Sequence, residues 1–276
     1  MAEQSPRHVW LCADDYGIAP GVNAAIRELI ARGRLNATSV MVVAPSCTRG
    51  EVDALKNAGK AAIGLHLTLT APFKPLTADF TPLAQGEFHP LLLLLLLSLL
   101  RRLNRIALTR EIDAQITAFT QAFGRPPDFI DGHQHVHLFP QVRDAVLDAA
   151  RRLAPDAWVR QGASASPMRT RLNDPKGLLI DVLSRAVRGR ASRLGIKTNP
   201  AFAGTYTYRP DADFGRLFPS FLEGLPEGGL IMCHPGHVDD ELERLDPLTT
   251  IREREYAYLA GAAFPAALEA YGLTLN

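Results

Sequence analysis

The sequence predicts an α/β protein built on a mostly parallel sheet, either open or closed as a barrel. Three observations predict it. Short apolar runs alternate with amphipathic stretches along all 276 residues, the βαβα order whose crossovers favour parallel strands. Polar residues able to do chemistry fall at or just after the carboxyl ends of several of those runs. No G-x-G-x-x-G or P-loop follows any of them, which argues against a nucleotide-binding doubly wound sheet.

The elements follow in order. HVWLCA (8–13) is short and apolar and ends at Asp14-Asp15, hence a buried strand. VNAAIRELIARG has helical spacing through Val22, Ile26 and Ile30 and closes on glycine. ATSVMVVAP (37–45) is β-branched and stops at proline, a second strand. A weak helix over Val52–Ala58 leads to a third strand, AAIGLHLTLT (61–70). Residues 71–89 form a proline-containing loop too long for a plain connection, the kind that often carries function. PLLLLLLLSLLRRL (Pro90–Leu103) reads as a helix, and LTREIDAQITAFTQAFG as another, with Ile112, Ile116, Phe119 and Phe123 on one face and Thr109 as N-cap. PDFIDGHQHVHLF is a fourth strand, and PQVRDAVLDAARRLA its helix, with Pro140 suited to the first turn. AWVRQG (157–162) is a fifth strand, 177–195 a basic helix, and 199–208 extended. Helix ADFGRLFPSFLEGL, strand GLIMCHPG (229–236) and one last helix from about Thr250 to Tyr271 complete the chain. No repeat, linker or boundary interrupts the series, so residues 1–276 read as a single domain.

Composition narrows the partners. Hydrophobic residues make up 47% and charged residues 21%, enough for a sizeable core, and the formal charge of +1 provides no field to recruit nucleic acid. Cys12, Cys47 and Cys233 are an odd, widely spaced set without a C-x-x-C, which reads as reduced cysteine in a cytoplasmic protein. The first residues carry no apolar signal-peptide core. The leucine run would rise about 15 Å as a helix, half of a roughly 30 Å hydrocarbon core, and so does not span a bilayer. Three readings stay open for it: a buried or homodimer-forming helix, a lid beside the site, or a membrane-surface contact with Arg101, Arg102 and Arg105 at the headgroups.

Asp14-Asp15 end the first strand, His66 lies in the third, His133 follows the fourth, and His234 ends the late GLIMCHPG strand. In parallel α/β folds the carboxyl ends of the strands share one face, and that face carries the site. Imidazole nitrogens and one carboxylate can hold a divalent ion with positions left open. A second carboxylate can act as general base and a further histidine can protonate a leaving group, the layout of a metal-assisted amide or ester hydrolase. Within DGHQHVHLFP (131–140), His133, His135 and His137 share a face if the strand runs straight, but Gly132 suggests a turn.

ADDYG (13–17), GLHLTLT (64–70), DGHQHVHLFP (131–140) and CHPG (233–236), in this order and spacing, resemble the YdjC-like carbohydrate deacetylases, a family with chitooligosaccharide deacetylases and hopanoid-biosynthesis-associated members. The resemblance covers Val9 to about Leu273. It implies a deformed (β/α) barrel, a divalent ion (magnesium, with zinc in related deacetylases) and removal of an N-acetyl group from a sugar. It places the metal on Asp15, His66 and His133, the base at Asp14, and the family's CHPG histidine at His234, which we read as the proton donor. His135 is read as substrate-facing, His137 as structural, and Arg160 as substrate-binding or as an ion-pair partner orienting Asp14. The leucine helix matches no family motif. Two rival readings remain: a non-catalytic metal-containing carbohydrate sensor, and a hydrolase of another C–N or C–O bond.

Overall fold

The computed structural model of the chain describes residues 5–78, 80, 86–164, 175–209 and 211–276. Strands are β1 (Arg7–His8), β2 (Trp10–Tyr16), β3 (Ala37–Val40), β4 (Ala62–Leu67), β5 (Phe129–Gly132), β6 (Trp158–Val159), β7 (Phe202–Ala203), β8 (Leu230–Cys233) and β9 (Leu273–Thr274). Helices are α1 (Pro20–Ala31), α2 (Arg49–Lys56), α3 (Leu91–Leu99), α4 (Arg105–Phe123), α5 (Pro140–Leu153), α6 (Pro175–Arg193), α7 (Phe214–Leu222), α8 (Asp240–Leu245), α9 (Thr250–Ala260) and α10 (Ala263–Ala270).

Seven strands form one sheet in the order β6-β5-β4-β3-β2-β8-β7, with every pairing parallel. The two edges then meet. Ser164, just past β6, bridges Phe202 in parallel, and the Phe202 amide donates to the Ala163 carbonyl at 3.0 Å. The sheet is thus a closed, irregular (β/α) barrel, as the resemblance implied. β3, β5 and β8 are buried along their whole length, which is why they read as short uninterrupted runs rather than alternating ones. β1 and β9 pair separately and tie the two ends of the described chain together.

Several boundaries differ from expectation, each for a local reason. The fourth strand stops at Gly132, and His133–Leu138 is a tight 3₁₀ turn in which Gln134 (φ 53°) and His135 (φ 59°) are left-handed. A Cβ on Gly132 would lie 3.0 Å from His137 Nδ1 and 3.2 Å from the Leu67 carbonyl, so only glycine lets the turn fold back this closely. Asn104, not Thr109, caps α4, its side-chain oxygen accepting from the Ile106 and Ala107 amides. The last helix is two, α9 and α10, broken at Gly261. A short helix, α8, capped by Asp239, was not anticipated. The leucine helix is not a core element: of α3, Leu94 and Ser98 are the buried residues.

Candidate metal centre and active site

The site is built at the carboxyl ends of β2, β4, β5 and β8. At the end of β2 the backbone leaves the extended conformation: Asp15 has φ 68°, and the β2–β3 register shifts between Ala13 and Tyr16. This kink, rather than simple strand alternation, separates the two neighbouring carboxylates. Asp14 turns toward β6 and Asp15 toward β4 and the histidine turn. Among the described residues, three of the four non-glycine residues with positive φ, Asp15, Gln134 and His135, lie at this site, where such strain concentrates.

Asp15 Oδ1 is 3.2 Å from His66 Nε2 and 2.9 Å from His133 Nδ1. The three residues are buried, and one donor atom from each lies within 4.8 Å of the others. On its other side His66 Nδ1 meets Asp131 Oδ1 at 2.6 Å and Ser39 Oγ at 2.9 Å. That is the outer carboxylate that commonly orients a metal-ligating imidazole. Burial opposes a charge on His66, but Asp131 and then Asp14 outweigh it and push its pKa up to about 10. Burial would likewise raise the Asp15 carboxyl. Arg252, His133 and His66 outweigh that and hold it well below the usual carboxylate range.

Asp14 is gripped by Arg160 through two parallel bonds of 2.7 Å, the bidentate geometry that fixes a carboxylate in plane. Nη1 of Arg160 is also 3.1 Å from Asp131 Oδ2, an ion pair without hydrogen-bond alignment. Arg160 is buried and does not line the cavity, so its expected contact with substrate gives way to this clamp. Cys12, Asp14 and Asp131 also converge like a ligand set, but the Arg160 guanidinium already sits among them, so no second cation fits there.

A cavity of about 410 Å³ opens over these groups, lined among others by Asp14, Asp15, His66, His133, His135 and His234. The six expected residues other than Arg160 are thus brought together. His135 is half-buried on the wall, its ring edge-on to Phe202. His137 turns away: Nε2–H donates to the Arg160 carbonyl at 2.9 Å, and burial, then Arg160, lowers its pKa to about 3. His234 stands beside Tyr208 with its Nδ1 unpaired, and burial lowers its pKa to about 4.

Sequence reasoning missed three supports. Asp131 sits in the quoted DGH motif yet read as an ordinary strand residue. Arg252 on α9 donates to Asp15 Oδ2 at 2.6 Å and to Asp246 Oδ2 at 2.7 Å. Glu255, one helical turn on, accepts the His234 amide and the Tyr206 hydroxyl, both at 2.5 Å. Burial raises the Glu255 pKa to about 7 against those bonds. The spacing of Arg252 and Glu255 on one buried helix face was the available signal, because charged residues are seldom fully buried unless paired.

Fold and site together define a closed parallel α/β barrel with a metal-competent carboxylate–imidazole centre at the carboxyl end of its strands. Residues 8–270 match the family model described as YdjC-like protein, and the chain belongs to that family. A chitooligosaccharide deacetylase of Yersinia pestis (strain Pestoides F) is 30% identical over 239 residues, covering 83% of this chain and 82% of its own. One from Yersinia pseudotuberculosis serotype O:1b matches to the same extent. A crystal structure from Enterococcus faecalis V583, described as a cellobiose-phosphate cleavage protein, shares the fold with a TM-score of 0.76 and 23% identity. It covers 99% of this chain and 97% of that one.

Proposed function

We propose that the chain is a metal-dependent hydrolase that removes an N-acetyl group from an amino sugar, as a free sugar, in an oligosaccharide or on a glycolipid. One observation carries the reading: Asp15 Oδ1 is shared by His66 and His133 beside an arginine-clamped Asp14, and all four line one cavity. The activity printed for the Yersinia relatives supports the reaction class.

The donor set fits a divalent cation, since one carboxylate oxygen and two imidazole nitrogens converge where the surroundings already favour positive charge. Asp15, His66 and His133 would hold it, and magnesium is the ion we assign, with zinc the alternative. When bound, the ion polarises the acetyl carbonyl and acidifies water at the site. Asp14 accepts the proton of the attacking water. Arg160 occupies one edge of that carboxylate and so aims it. His234 delivers a proton to the departing amine. Because burial keeps its imidazole neutral in the free site, the proton it delivers is the one taken up at Asp14. Glu255 fixes the His234 backbone, and His135 contacts the sugar from the cavity wall. Residues 1–276 form one catalytic domain in this reading. The three free cysteines support a cytoplasmic location, and the formal charge of +1 provides no field to recruit nucleic acid.

The test is acetate release from N-acetylated mono-, di- and oligosaccharides and glycolipids, with magnesium, with zinc and after chelation. Acetate that depends on metal and on Asp14 is the expected result. Sugar binding without any product favours the sensor, and release of another fragment favours a different C–N or C–O bond.

A further inference from the structure

Helix α3 has its polarity inside out. Its single hydroxyl, Ser98, is fully buried at 0% exposure and accepts the Gln141 amide at 3.3 Å. Leu94 is buried on the same face, while four leucines point outward, with Leu92 78%, Leu96 52% and Leu99 51% exposed and Leu93 at 36%. A helix lying on a globular core in water shows the reverse arrangement. Among the described residues nine large hydrophobics are exposed; six fall between Leu92 and Ile106, and two more, Leu179 and Val182, lie on α6. Both helices pack on the His133–Leu138 turn, and Leu91 itself lines the active-site cavity. The apolar surface is therefore continuous with the rim of the site, and patches of this kind mark interaction surfaces.

Charge indicates the partner. From Leu91 to Arg110 there are arginines at 101, 102, 105 and 110 and no acid. The outer face of α6 adds Arg185, Arg188 and Arg190, while its one acid, Asp181, is buried. Arg190 shares a surface pocket with Arg101 and Arg105. Asp144 and Asp148 lie in the same pocket, and Arg101, Arg151 and Arg152 already pair with them. Arg102, Arg105, Arg185 and Arg188 form no ion pair among the described residues, so their charge is available. Leucines ringed by unpaired arginines complement a surface that is apolar beneath and anionic at its face. Nine helical residues rise about 14 Å, too little to cross a bilayer but suited to lying in its interface.

We propose that α3, with the adjoining face of α6, docks the rim of the cavity onto an anionic lipid bilayer. The wild-type chain should sediment with vesicles of equimolar phosphatidylcholine and phosphatidylglycerol, and far less with phosphatidylcholine alone or in high salt. Leu92→Glu with Leu96→Glu, both at exposed positions, should abolish sedimentation while the circular dichroism spectrum stays unchanged. Arg102→Gln and Arg188→Gln should each weaken binding to the anionic vesicles about fivefold, the effect of one basic residue near such a surface. Three results would overturn the proposal: no sedimentation of wild type with either vesicle, undiminished sedimentation of the double glutamate variant, or a wild-type dimer that the double variant dissociates without any vesicle binding. The last would mean that a second copy covers the helix. None of these measurements uses turnover, so they stand or fall apart from the deacetylase reading.

Discussion

Loading the centre with a divalent ion should expel a proton from His66, and the size of the effect follows from what surrounds the ring. Without metal, Nδ1–H donates to Asp131 Oδ1 at 2.6 Å, and Nε2 lies 3.2 Å from Asp15 Oδ1 as an ion pair. Burial opposes the charged ring, but Asp131 and Asp14 raise its pKa to about 10, against about 6.5 in an unfolded chain. An ion on Nε2 needs the lone pair that the proton occupies. Between about pH 7 and 9, binding should therefore release about one proton, and affinity should rise about tenfold, or roughly 1.4 kcal/mol, per pH unit. The stability of the metal-free protein slopes the other way. A raised folded-state pKa means that the stabilisation from His66 is complete below about pH 6.5 and is lost as pH climbs toward 10, at up to roughly 1.4 kcal/mol per unit. Titration calorimetry in buffers of different ionisation enthalpy counts the protons, and denaturant unfolding after chelation gives the second slope. Asp131→Asn keeps an acceptor for Nδ1 but removes the charge, so proton release should shrink and affinity should fall about 10–100-fold. A wild-type affinity that is flat from about pH 7 to 9 would refute the reasoning.

Asp14→Asn should keep metal and substrate binding while turnover falls roughly 10²–10⁴-fold; Asp15→Asn should lose metal affinity, and excess metal should restore activity partly to Asp15→Asn alone, as read by metal-dependent acetate release. Arg252→Met strands the buried Asp15 carboxylate and the half-buried Asp246, and should cost about 3–5 kcal/mol of metal-free stability. Saturating metal should recover part of that in urea unfolding, whereas an equal loss with and without metal would remove Arg252 from the centre. His137, with its pKa lowered to about 3 by burial, contributes stability that is present above about pH 6.5 and lost as pH falls toward 3, at up to roughly 1.4 kcal/mol per unit. His137→Asn should flatten that acid limb of the unfolding curve without removing metal from the protein.

Much of the barrel could be read locally. Strands buried on both faces are runs such as LIMC, and Pro20 and Pro140 open helices because the missing amide is not needed there. What could not be read depends on partners distant in sequence. Arg252 lies 237 residues from the carboxylate it grips; its place on the face of Ile251 and Leu259 signals burial, but nothing in TIREREYAYLA names the partner. The kink at Asp15 was invisible for a related reason. Strand alternation predicts opposite directions for Asp14 and Asp15, and a left-handed residue reaches a similar separation by another route, held by Arg252 and two histidines. The leucine helix was ambiguous because a run of identical residues has no face. The burial of Leu94 and Ser98 in the fold reveals which side is in.

Arg160 follows the two-residue strand β6, next to the seam where the barrel closes through Ala163, Ser164 and Phe202. Its amide is held by Ile130 of β5, its carbonyl receives His137, and its guanidinium holds Asp14. The joint that closes the barrel is therefore also the joint that aims the base. Barrel seams made of few hydrogen bonds open at lower free energy than the strands between them. On warming, the seam should part first, and Asp14 would lose its orientation while β2, β3, β4 and β8 remain paired. Heat inactivation would then run ahead of the melting of the sheet, and a cross-link that staples the seam shut would raise the temperature of inactivation more than the temperature of unfolding.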